Sequence, residues 1–79
     1  MDSGKPVQQI IKERLKEEIR NSGLSKTEIA AKLGVSATMV TQYCNTKKFP
    51  RLDTFAQLCQ ILEVSSDYIL GLIPYSRNI

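Results

Sequence analysis

The chain has no histidine and no tryptophan, and only two cysteines, three prolines and four glycines among 79 residues. Cys44 and Cys59 stand far apart and have no histidine to join them, so the usual zinc spacings and the redox pair motifs are both excluded. Both read as reduced thiols, Cys59 as a packing residue. Nor is either cysteine partnered by a base, and no glycine loop cradles phosphate. The sequence therefore does not read as an enzyme, and no catalytic residue, metal site, cofactor or small-molecule ligand is expected. No apolar run approaches the roughly 20 residues that span a bilayer, and residues 1–6 have no stretch of signal-peptide type. A cytoplasmic location is expected. Repeats, low-complexity tracts, β-type alternation and long linkers are also missing.

What is present is the composition of an ordinary globular domain, 42% hydrophobic and 24% charged. Domains of this size bury only about 60% of their unfolded surface, so a binding surface is a more natural expectation than a lined pocket. The net charge is only +3, but it is unevenly placed. Residues 1–25 carry five basic and four acidic groups. Residues 26–51 hold Lys26, Lys32, Lys47, Lys48 and Arg51 against Glu28 alone, a local +4, and the remainder sums to −2. A basic middle third suits a polyanion, although a solvated lysine-rich face has the same composition.

Apolar spacing predicts five helices in one domain. Val7, Ile11, Leu15 and Ile19 recur every fourth position, with Ile10 beside them, as the buried face of a helix over about 7–21. The intervening Lys12, Glu13, Arg14, Lys16, Glu17 and Glu18 read as a mixed face for water, poorly suited to anionic lipid. Gly23 ends that segment, and Ser25 with Glu28 forms a capping box that opens a second helix over about 26–33. Gly34 stops it after two turns and Ser36 caps a third, about 37–45. The stretch from Asn45 to Pro50 reads as a loop with Phe49 tucked inward. A fourth helix over about 52–63 is expected to bury Leu52, Phe55, Leu58, Cys59 and Leu62. Ser65 caps a short fifth helix that Gly71 closes.

Two short helices about a glycine turn are common, so residue type at each position matters. Ala30, one turn before Gly34, lets the next helix cross closely, and Gly34 permits positive φ. Val40 and Tyr43 face the core. The segment LSKTEIAAKLGVSATMVTQY from Leu24 to Tyr43, with Asn45, Pro50 and VSSDYILG from Val64 to Gly71, resembles the phage-repressor and Cro, or XRE-type, helix-turn-helix family over about residues 10–71. The resemblance implies an all-α, compact five-helix bundle with core about 7–71 and tail 72–79. It also implies double-stranded DNA as partner, transcriptional regulation as a repressor, and a nucleoid-associated place in the cytoplasm.

Helical geometry puts Thr38, Thr41, Gln42 and Asn45 opposite Val40, with Ala37 at one edge, and this face carries no charge. The family's base-contacting positions fall on Ala37, Thr38, Thr41 and Gln42. The Gln42 amide suits adenine, and Ala37 and the threonine methyls suit thymine methyl groups. Against this, each can be an ordinary surface residue, and Thr41 can bond its own helix. Phosphate contacts are expected from Lys26, Asn45, Lys47 and Lys48, Lys26 standing where the family often has glutamine. Asn45 can equally end helix 3 in the left-handed conformation. Tyr43 is expected in the core with its hydroxyl at the surface. One helix reads about half a site, so a homodimer is expected; the apolar tail 72–79 can form its contact or pack on helix 1. The alternative is an antitoxin-like or adaptor module that binds protein, for which Met39 is the one anchor on helix 3.

Overall fold

A computed structural model describes residues 4–75. Its order is α1 (Val7–Asn21), α2 (Lys26–Leu33), α3 (Ala37–Asn45), α4 (Leu52–Leu62) and α5 (Ser66–Ile69), with no strand among the described residues. This is the all-α five-helix bundle that the apolar spacing predicts. The short helices α2 and α3 pack on one another, α3 also on α1, α2 on α4, and α1 on α5.

The helix starts follow local chemistry. Ser25 accepts from the Glu28 amide at 3.1 Å while the Glu28 carboxylate accepts from the Ser25 amide at 2.9 Å, the reciprocal box read in the sequence. Those bonds to the Ser25 backbone and side chain hold the Glu28 pKa below its ordinary value. Ser36 accepts from the Met39 amide at 3.1 Å and starts α3. Ser65 occupies the corresponding place before α5, but no bond from its side chain caps that helix.

Three of the helix ends share one device. At α2 the Val35 amide reaches the Ala30 carbonyl at 3.0 Å and the Gly34 amide the Ala31 carbonyl at 3.4 Å, with Gly34 at φ 75°. This pair of bonds around a left-handed residue satisfies carbonyls that the helix leaves open. It recurs after α5, where Leu72 bonds Asp67 and Gly71 bonds Tyr68. It recurs again after α4, where Val64 bonds Cys59 and Glu63 bonds Gln60. There Glu63 itself is left-handed, at φ 54°, without glycine to ease it. In the α2 and α4 caps the following valine turns inward: Val64 is buried and Val35 packs against the core.

The core consists of Leu15 and Ile19 from α1, Ile29 and Ala30 from α2, Val40, Tyr43 and Cys44 from α3, Leu58, Cys59 and Leu62 from α4, then Val64 and Ile69. Both thiols are free and buried. Three expectations need correction. Val7 is 61% exposed and Leu52 is 87% exposed, because each sits in the first turn of its helix, beyond the reach of the opposing layer. Phe49 is 38% exposed and is not tucked into the core; its ring lies 4.3 Å from the Lys12 ammonium on α1.

The end of the described chain lies on α1. Arg14 donates to the carbonyls of Tyr68 and Ile73, the latter at 3.0 Å, and its guanidinium stands 4.3 Å from the Tyr68 ring. The tail is thus tied to α1 through the Ile73 backbone, while Leu72 and Tyr75 stay exposed, and residues 76–79 lie outside the described residues.

Candidate nucleic-acid interface

The nine residues of α3 divide by the helical period. Val40, Tyr43 and Cys44 are buried, and Met39 packs against the same core. On the other side Thr38 and Asn45 are exposed, while Thr41 and Gln42 are half-buried. Ala37 is half-buried and packed against the core, so it borders the outer face more than it belongs to it. Gln42 is not enclosed by the interior, and the outer face carries no ionisable group.

Two side chains on this face bear on alternatives left by the sequence. The Thr41 hydroxyl donates to the Ala37 carbonyl at 3.2 Å, which commits its proton to the helix backbone. Asn45 is the last residue of α3, and the next, Thr46, is extended at φ −123°. Asn45 does not end the helix in the left-handed conformation, since Glu63 alone takes that conformation among the described non-glycine residues. The cap of α3 is instead made by Thr46, whose amide and hydroxyl donate to the Gln42 carbonyl at 3.0 and 2.8 Å. The Thr46 hydroxyl then accepts from the Lys48 amide at 3.1 Å.

The expected phosphate-binding cations lie on the segments that flank α3 in the chain. Lys26 opens α2, and Lys47 and Lys48 follow α3; all three are exposed. Lys26 lies close enough to Cys44, on the buried side of α3, for its charge to oppose the rise that burial imposes on that thiol. Lys12 and Lys16 of α1 act on Cys44 in the same sense. Arg51 pairs with Asp53 at 3.4 Å on the surface. Tyr43 is in the core as expected.

Sequence reading missed Lys12. It reads as one of a row of solvated charges on α1, yet its ammonium donates to the carbonyls of Tyr43 at 2.7 Å, Gln42 at 3.5 Å and Lys48. Its partners lie 30 to 36 positions away in the chain, so no local pattern announces them.

A family model described as helix-turn-helix matches residues 15–69, the span that holds α2, the Gly34 turn and α3. The chain belongs to the helix-turn-helix family. In this helix-turn-helix domain the family span ends at Ile69, the last residue of α5. Over 65 residues the domain is 34% identical to the HTH-type transcriptional regulator ImmR of Bacillus subtilis (strain 168), covering 82% of this chain and 51% of that protein. The chain thus spans about half the length of this curated relative. No solved structure matches. Among the described residues no helix is long and apolar enough to cross a membrane.

Proposed function

We propose that this domain binds double-stranded DNA sequence-specifically as a non-enzymatic transcriptional regulator of the repressor kind, with α3 in the major groove. The observation that carries this reading is the outer side of α3, an uncharged face of small polar groups, with exposed Lys26, Lys47 and Lys48 on the flanking segments and the one large apolar side chain, Met39, half-buried against the core. A face serving only solubility would carry Lys and Glu. A protein-docking face would more often present an aromatic or Met anchor, and Met39, the one such residue on α3, is half-buried and packs against the core. The regulator named among its relatives supports the same reading.

In this reading Thr38 and Gln42 are the principal base contacts, with Thr41 and Ala37 meeting base edges through their methyl groups. Lys26, Asn45, Lys47 and Lys48 hold phosphates and set register without reading sequence. Two copies bind half-sites one helical turn apart as a homodimer, in the cytoplasm at the nucleoid.

Selection from a randomised duplex pool at two salt concentrations tests the proposal. A symmetric enriched site is expected. If each subunit engages about four phosphates, the log-affinity slope against log salt lies near −7 for the dimer, at about 0.9 per phosphate. Gln42→Ala is expected to lose about 1–3 kcal/mol against one base pair in each half-site and little elsewhere. Equal losses on every sequence would make Gln42 a backbone contact, and no enrichment at either salt would favour a protein partner.

A further inference from the structure

The last carbonyls of any helix have no intrahelical donor, and the negative end of the helix dipole gathers there. Helix α3 has no basic residue in its own last turn. The cation comes from α1 instead. Lys12 donates to the Tyr43 and Gln42 carbonyls within α3 and to the Lys48 carbonyl beyond it, so one ammonium bridges the helix end and the following loop. The Phe49 ring stands 4.3 Å from the same nitrogen, an arrangement that attracts a cation. An ammonium has three N–H donors, and here three carbonyls receive them. None is left over for a phosphate. Burial pushes the Lys12 pKa below its ordinary value, with the nearby Cys44 acting in the opposite sense.

We propose that Lys12 is a positioning residue for the DNA surface: it fastens the end of α3 and the loop bearing Lys47 and Lys48 to α1, so that the reading face and the phosphate-binding cations are presented in one register. The proposal rests on the DNA-binding reading above. It assigns Lys12 an effect on affinity without contact to DNA, transmitted through the Thr46 to Phe49 segment. Thr46 extends the lock, since it bonds Gln42 on one side and the Lys48 amide on the other.

The experiment is a double-mutant cycle in the full chain on the selected duplex, crossing Lys12→Met with the pair Lys47→Ala and Lys48→Ala. Lys12→Met is expected to bind about tenfold more weakly or worse, with a salt slope reduced by about 1.8 per subunit, as if both loop lysines had left the phosphates. In the loop-lysine background the same change is expected to cost less than about twofold, because interacting sites are not additive. Lys12→Arg, which keeps a cation with several donors, restores most of the binding. Additive losses, or a slope change near 0.9 per subunit, would mean that Lys12 touches phosphate itself and would overturn the proposal.

Two readouts in the free protein separate failure of the lock from failure of the DNA reading. The wild-type Lys12 ammonium protons are expected to exchange with water more slowly than those of exposed Lys32, a comparison that needs no variant to fold. The Lys48 amide is expected to lose protection in Lys12→Met. Lys12 exchange as fast as that of Lys32 overturns the lock whether or not DNA binds. An intact lock in a chain that binds no duplex overturns the functional reading and, with it, the role given to Lys12.

Discussion

Replacing Gly34 with alanine probes the turn that sets α3 against α2, and the structure fixes how large the effect can be. The backbone at Gly34 has φ 75°, a region that disfavours any side chain. A Cβ built there meets nothing within 4 Å, so no neighbour has to move. The cost is therefore conformational alone, about 1–2 kcal/mol for an L-residue in the left-handed region. Part of it is offset, because alanine lowers the entropy of the unfolded chain by about 0.4–1 kcal/mol. A net loss of about 1 kcal/mol remains, which for a domain of this size lowers the melting temperature by about 4–8 °C. Urea unfolding is the assay, with the midpoint expected to fall at an unchanged slope. Gly71→Ala is the contrast: its Cβ would sit 3.1 Å from Cγ2 of Ile10 at φ 84°, so strain and crowding add and the loss should be larger. A Gly34→Ala loss above about 3 kcal/mol would mean a clash that the open turn does not contain. A clear gain in stability would mean that the turn is not left-handed.

The reverse substitution is available one helix later. Glu63→Gly is expected to stabilise the domain by about 0.5–1 kcal/mol, read by the same urea midpoint, because an exposed residue held at φ 54° becomes the type that accepts that conformation; a destabilised variant would refute the strain assigned to Glu63. The thiols give a pH dependence. Burial raises Cys59 from its ordinary 9.0 to about 11, which favours the neutral form in the folded chain. Its contribution to stability is thus complete below pH 9.0 and is lost as pH rises through about 11. Stability measured from pH 8 to 11 should fall along a limb that Cys59→Ala flattens, and a limb unchanged by that variant would refute the assignment. A thiol reagent at pH 8 should label neither cysteine until urea is added.

Much of the architecture was legible because it is written locally. The Ser25 and Glu28 box, the Ser36 cap and the Gly34 stop involve residues at most three or four positions apart, and the α2 and α3 bounds follow from them. The division of α3 was legible for the same reason, since one buried residue, Val40, fixes the direction of the others by helical period. What escaped depends on partners distant in sequence. Leu52 satisfies the apolar spacing of α4, but nothing in the spacing says that no layer covers the first turn. Phe49, hydrophobic and beside a proline, carries no sign that a lysine on α1 will stand over it. Lys12 and Arg14 are indistinguishable in sequence from their solvated neighbours, and only the fold brings backbone carbonyls within their reach. Glu63 took the left-handed place because the bonds of the cap and the burial of Val64 outweigh a modest local penalty.

The inward turn of Met39 separates two inheritances within one short rod. The side that keeps α3 folded and the side offered outward share almost no residues, so exchanges at Thr38 or Gln42 leave the interior untouched. Surface changes of that sort usually shift stability by less than about 0.5 kcal/mol. If the outer face reads the target as proposed, a lineage carrying this scaffold can alter which target it prefers, one side chain at a time, without passing through forms that fail to fold.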